Sequence, residues 1–470
     1  MRAWMYPLVY LSQNWISRAG VVLVTTATVL WLFLLPSSLR GEVQHPYIGI
    51  LAFLILPGVF FAGLGLIPLG IWGHLRTERR AGRKPPPYNP VTLATPELRR
   101  LLWFAGVTTI LNIGIGSQLT YRAVNYMDSV TFCGKTCHEV MQPEYTAYQN
   151  SPHSRVECVA CHIGPGASWF VQSKLSGLGQ VLAVMLNNYP RPIPAPVRNL
   201  RPARETCEAC HWPLKFEQDR LEVIQKYADD EHNTRTTTVL LMRISGGGEH
   251  PGIHYAHMAP GVTIYYNPAD ESRQTISRVE YHDSATGREV TYTAADAKPD
   301  ALKKLPQRLM DCMDCHNRPT HTFQTADGAV DRALASGAIP PALPFIKKVA
   351  VEALHKDYKS QKDAAAGIAG DIEGYYKTGD RAAIDRAAAA VVAIYMRNVF
   401  PEMRVTWGTY PNNLGHPDFF GGCFRCHDGN HATAGGRSIP SDCETCHHSL
   451  AMDEANPKIL TELGLAGGGQ

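Results

Sequence analysis

The sequence predicts a membrane-anchored chain in two parts: three N-terminal transmembrane helices, then a mostly α-helical and irregular domain carrying a small antiparallel β insertion. Three observations predict it. The first 120 residues hold three long apolar segments with no amphipathic face of the soluble kind. All twelve cysteines fall in pairs, and each pair is followed directly by His. Residues 217–310 contain no cysteine and alternate short β-branched or aromatic runs with turn residues.

Residues 20–35 (GVVLVTTATVLWLFLL) lie near the short end of a membrane span, for which about 20 apolar residues suffice. Pro36 is expected to end it. A signal peptide is the competing reading, but Ser37-Ser38-Leu39-Arg40 makes a poor cleavage site, which favours a retained helix. Residues 47–73 can span with some tilt; their Pro57 and Pro68 are tolerable where neighbouring helices satisfy the freed carbonyls. The third segment, 101–119, is interrupted by Asn112, Ser117 and Gln118. Between the second and third segments stand Arg76, Arg79, Arg80, Arg83, Lys84, Arg99 and Arg100 against Glu78 and Glu97, whereas 36–46 has only Arg40 and Glu42. The basic loop is therefore expected in the cytoplasm. With three spans, the N-terminus is then cytoplasmic and everything after residue 120 lies outside the inner membrane. The net charge of +3 gives no reason to expect a nucleic-acid partner.

The six cysteine pairs are Cys133/Cys137/His138, Cys158/Cys161/His162, Cys207/Cys210/His211, Cys312/Cys315/His316, Cys423/Cys426/His427 and Cys443/Cys446/His447. Cys-x-x-Cys-His is an attachment site for c-type haem: the thiols add to the vinyl groups and the His ligates iron from one face. Structural zinc or a redox dithiol needs no His after the second cysteine, and here His follows six times in six. The chain thus reads as a membrane-anchored multihaem cytochrome c with six covalent haems. Only the first motif departs, with three residues between its cysteines. The topology puts all six where haem is attached, in the periplasm.

The expected organisation is a membrane anchor over 1–119, a haem domain over 120–216 with motifs one to three, a β insertion over 217–310, and a second haem domain over 311–470 with a helical stretch at 325–400. Strands are expected at 236–244, 262–266, 276–281 and 289–293. Low-spin haems need a second axial ligand, and the candidates outside the motifs are His153, His254, His257, His321, His416 and His431. His448, beside its motif His, and His232, His282 and His355 read as surface residues.

The residues 132–141 (FCGKTCHEVM), Pro152-His153, the Cys158–His162 motif, Trp169, Lys174, the run RPARETCEACHWP from 201, and Cys312–His316 followed by His321 resemble the NapC/NirT family of membrane-anchored multihaem quinol dehydrogenases. The resemblance covers about 120–216 and 310–325, and more loosely 400–450. It implies electron transfer from membrane quinol, menaquinol in particular, through a haem near the lipid surface to a periplasmic cytochrome or reductase. It further implies Met141 as axial ligand of the first haem, although Met141 lies three rather than two residues past His138. Lys174 matches the family's quinol-site lysine. Gln180 and Val181 stand where an acid is expected, so Glu139 or Glu144 becomes the candidate proton acceptor.

Two other functions compete with a quinol-oxidising conduit. One is a terminal reductase with an open haem iron. The other is a haem-wire subunit of a larger membrane complex, with which the Gly-rich second span is compatible.

Overall fold

The computed structural model describes residues 5–39, 55–83, 91–136, 138–164, 176–177, 179–180, 182–197, 200–212, 215, 218–244, 246, 252–416 and 421–465. They fall into two compact units, Met1–Thr136 with Glu157–Leu182, and Cys137–Val156 with Ala183–Gln470.

The first unit is helical. After a short α1 (Met5–Leu11), α2 (Trp15–Leu39) and α3 (Leu56–Arg80) are long and apolar enough to cross a membrane. Helix α2 runs past Pro36, where its end was expected. A proline removes one backbone hydrogen bond, whereas unwinding among lipid tails would leave several polar groups without partners. Helix α3 starts at Leu56, so Pro57 occupies the first turn, where a missing N–H matters least. It runs on to Arg80, so Arg76, Arg79 and Arg80 stand on its last turns rather than in a loop. The expected start of this span, at 47–54, lies outside the described residues.

Small residues set the α2–α3 crossing. A Cβ added at Gly20 would lie 2.7 Å from the Gly63 carbonyl oxygen, and one at Gly63 would lie 2.9 Å from that of Gly20. No larger side chain fits there, a packing typical of helices in membranes. The buried Ser17 hydroxyl donates across the crossing to the Ile67 carbonyl at 3.0 Å. A third helical run consists of α4 (Pro96–Leu111), a π turn (Asn112–Gly116) and α5 (Ser117–Asp128). It packs on α2, and Asn112 Nδ2 donates to Thr25 Oγ1 at 3.2 Å. The polar break in the third apolar segment thus serves a helix–helix hydrogen bond.

The second unit opens with α6 (His138–Gln149) and contains two antiparallel sheets. In the first, the order is β1 (Arg220–Tyr227), β2 (Arg235–Met242), β8 (His447–Glu454). In the second it is β6 (Arg308–Leu309), β3 (Val262–Pro268), β4 (Ile276–Asp283), β5 (Arg288–Ala294), β7 (His431–Ala432). The four expected strands form. Strand β1 was not expected, and β7 and β8 come from the C-terminal stretch, so the insertion is not a closed module.

The largest core is helical: α7 (Ala326–Ala335), α8 (Ile346–Leu354), α9 (Gln361–Tyr375) and α10 (Arg381–Asn398) bury Val330, Ile339, Ile346, Ile368, Ile372, Ile384 and Val391. Thr325, Ser360 and Asp380 cap three of the four N-termini with side-chain oxygens. The turn after β1 is pinned to this bundle. Asn233 donates to the carbonyls of Pro341 and Leu343 and accepts from Lys347 N. Buried Lys347 Nζ lies 2.7 Å from Asp331 Oδ1, which also accepts from Tyr227 N. Lys347→Met would leave that carboxylate buried without its cation. The expected loss is about 3–5 kcal/mol, read by chemical denaturation of the purified protein.

Candidate functional site

Each described motif is a short turn that gathers its two thiols on one side. Residues 158–162, 312–315 and 443–446 are single helical turns, and 422–425 is a 3-10 turn. In motifs three, four and five the N–H of the motif His donates to the carbonyl of the first Cys, at 2.7, 2.8 and 3.0 Å. Side chains three apart on such a turn share a face. The first motif has one residue more, and its segment Phe132–Thr136 is a π turn. A π turn advances about 80° per residue, so positions four apart share a face there as positions three apart do in an α-helix. The inserted residue is absorbed by the wider turn. Cys137 and the side chains of His138 and Glu139 lie outside the described residues, as do Lys174 and Trp169. Met141 stands half-buried one helical turn after His138 in α6.

The motifs adjoin one another. The Cys133 thiol beside Cys158 holds that thiol down at about 7, and Cys207 does the same in direction to Cys312. Burial raises Cys315 and Cys426 to about 12, with Cys423 adding to the rise at Cys315 and Cys315 to that at Cys426. Cys423 likewise adjoins Cys446. Motifs one and two therefore meet in the first unit, and motifs three to six form a contiguous series in the second.

Opposite four motif histidines stands a second imidazole. The ring centroids of His211 and His153 are 5.9 Å apart, those of His316 and His254 6.3 Å, of His427 and His257 5.9 Å, and of His447 and His416 6.4 Å. An iron held between two imidazoles, with bonds of about 2 Å and about 1.1 Å from each nitrogen to its ring centre, needs centroids about 6 Å apart. The ring orientation agrees. The Nδ1–H groups of His153, His257 and His427 face the carbonyls of Pro319 (3.2 Å), Ile253 (2.8 Å) and Pro440 (2.6 Å). That contact fixes the tautomer and leaves Nε2 to ligate. Burial also pushes His254, His257 and His316 below the ordinary imidazole value, towards the neutral form that binds metal. The residues fit a haem at these four places.

His321 is prepared in the same way: its Nδ1–H donates to the Glu144 carbonyl at 2.9 Å, and Arg318 bonds both the Glu144 carboxylate (3.2 Å) and the His321 carbonyl (2.7 Å). Glu144 is thereby engaged with Arg318 and His321 rather than free to accept a proton from a substrate. The 250–257 stretch contributes two rings, His254 and His257, from one helical turn, Ile253–Met258.

His431 departs from its expected role as an iron ligand. It is fully buried, with Nδ1 2.9 Å from Asp428 Oδ1 and Nε2 2.9 Å from the Ile276 carbonyl. Both nitrogens are engaged, and the ring ties β7 to β4. His282 lies near Glu280 and Glu289, and His448 bonds Glu444, as surface residues do.

Sequence reasoning missed Asp128. It closes α5, is 3% exposed, and precedes the first motif by one helical turn, where the Cys133 N–H donates to the Ser129 carbonyl at 3.2 Å. Tyr126 and Phe132 meet edge to face beside it, with centroids 5.5 Å apart. Its burial comes from tertiary packing and left no mark in the sequence SQLTYRAVNYMD of α5.

Six attachment motifs, four of them with an opposed imidazole, following long apolar helices, define a membrane-associated multihaem c-type cytochrome. The N-terminal region of the NapC/NirT cytochrome c family matches residues 97–192, and the chain belongs to this family of electron-transport cytochromes. It is 41% identical to the cytochrome c-type protein ImcH of Geobacter sulfurreducens over 455 residues, 94% of this chain and 89% of that protein. No solved structure matches it.

Proposed function

We propose that this chain oxidises a membrane quinol, menaquinol by the family likeness, and passes the electrons one at a time along six covalent haems to a periplasmic cytochrome or reductase. The observation that carries this reading is the set of four opposed imidazole pairs. An iron ligated on both faces would relay electrons and offer no open position to a substrate, which argues against a terminal reductase site at motifs three to six.

The haems supply the redox chemistry, and the chain supplies position, ligation and proton handling. Cys133, Cys137, Cys158, Cys161, Cys207, Cys210, Cys312, Cys315, Cys423, Cys426, Cys443 and Cys446 would anchor the haems. His138, His162, His211, His316, His427 and His447 would be proximal ligands. His153, His254, His257, His321 and His416 would be distal ligands, with Met141 serving the first haem. Three spans, the third being the run that contains α4 and α5, would leave the N-terminus in the cytoplasm and the haem domain in the periplasm of an inner-membrane protein.

Quinol oxidation releases two protons with two electrons. In the first unit, Asp128 is the acid placed to accept a proton, and Lys174 is the cation the family likeness assigns to the quinol oxygen. The test is to add a menaquinol analogue to the oxidised protein in detergent and follow the haem absorption bands. Reduction of the haems is expected. No reduction, in protein that dithionite reduces fully, would overturn the reading.

A further inference from the structure

Motifs four and five are joined by a charged cluster built from the variable positions between their cysteines. Motif five, Cys423-Phe-Arg425-Cys426-His427, places Arg425 against three segments at once. Its Nε donates to its own turn at Gly422 O (2.9 Å), its Nη1 to Arg273 O in the β3–β4 turn (2.9 Å), and its Nη2 to Asp314 O inside motif four. Motif four, Cys312-Met-Asp314-Cys315-His316, buries the Asp314 carboxylate. That carboxylate accepts from Tyr266 OH (2.6 Å), Arg308 Nε (3.0 Å), Arg273 Nη1 (3.3 Å) and Asp311 N (2.8 Å). Asn413 donates to the Asp314 carbonyl as well (3.1 Å). Arg273 reaches these partners from a left-handed backbone conformation, φ +60°, which a side chain of its size adopts only when held there.

The distal side explains why such a clamp is needed. His254 and His257 sit three residues apart on a single helical turn, one facing His316 and the other His427. One rigid turn thus serves two irons. Both can be ligated together only if the proximal histidines of motifs four and five keep a fixed mutual position to within a few tenths of an ångström. We propose that the Arg425–Asp314 cluster is this positioning device: it locks the fourth and fifth attachment motifs together, and its buried charges set the redox potential of the haem at motif four. The proposal rests on the haems of motifs four and five alone and holds whether or not quinol is the electron donor.

The potential separates an electrostatic role from simple packing. A buried anion beside a haem favours the ferric state, and a buried cation disfavours it. Asp314→Asn removes the anion and should move one component of the redox titration to higher potential. Arg308→Gln removes a cation and should move the same component lower. Arg425→Gln, with its haem content checked by pyridine haemochrome, should speed amide hydrogen exchange at 312–316 and 421–427 by about tenfold or more. Arg425→Lys should not restore protection, because an ammonium cannot span three carbonyls as the guanidinium fork does. If Arg425→Gln fails to assemble, the Asp314 and Arg308 variants still decide the electrostatic part. Potentials that stay put, or that move in one direction in both variants, overturn the proposal, as does unchanged exchange in Arg425→Gln.

Discussion

His257→Ala is expected to convert one haem of the chain from low-spin to high-spin while the others keep their spectrum. The His427 ring would lose the imidazole 5.9 Å away, and the iron at motif five would be left with one protein ligand. The measurement is ferric EPR of the purified protein, where one haem's share of the low-spin intensity should move to a high-spin signal. Added imidazole, which can enter the space left by the side chain, should return it. An unchanged low-spin spectrum would remove His257 from the ligand set. His431→Ala is the internal comparison, since His431 is another histidine close to motif five and is fully buried. Its nitrogens are engaged by Asp428 and Ile276, so its loss should leave every haem low-spin. It should cost about 1–3 kcal/mol of stability instead, because buried partners lose their hydrogen bonds.

These two histidines show where sequence and structure part. The cysteines and the histidines beside them are local features, since one helical turn brings them together and spacing alone identifies them. Distal ligands come from afar, and spacing says only that a His is near a Gly or Pro turn. On that ground His254 and His257 were alternative candidates, and that one faces His316 and the other His427 was not legible. His431 met the same criterion, four residues past His427, yet both its nitrogens face protein partners. What decides its role is the Ile276 carbonyl, 155 residues away in sequence.

Element boundaries failed for similar reasons. Pro36 reads as a helix end in water, yet α2 continues through it to Leu39. Strand β1, with the sequence RLEVIQKY, has charges among its apolar residues and forms because β2 and β8 complete its sheet. Asp314 has a local signature only as the partner of Asp311 in the capping box of its own turn. Its contacts with Tyr266, Arg273 and Arg308, and those of Arg425 with motif four, are tertiary and leave no mark in the spacing.

Asp128→Asn should slow quinol-driven haem reduction by about 100-fold at neutral pH, the low end of what a positioned general base contributes. The side chain is 3% exposed at the end of the third helical run, a place where a carboxylate loses most of its hydration. The amide is nearly the same shape, so packing is kept while the ability to take a proton is lost. Dithionite reduction, which bypasses the quinol site, should be unaffected, and the haem spectrum should match that of the unaltered protein. Asp128→Glu should recover part of the rate. Binding of a hydroxyquinoline N-oxide, followed by its fluorescence quenching, should persist in Asp128→Asn, separating lost proton transfer from a lost site. An undiminished quinol rate in that variant would return the search for the proton acceptor to Glu139. Glu139 follows the first motif directly in the sequence, whereas Glu144 is held by Arg318 and His321.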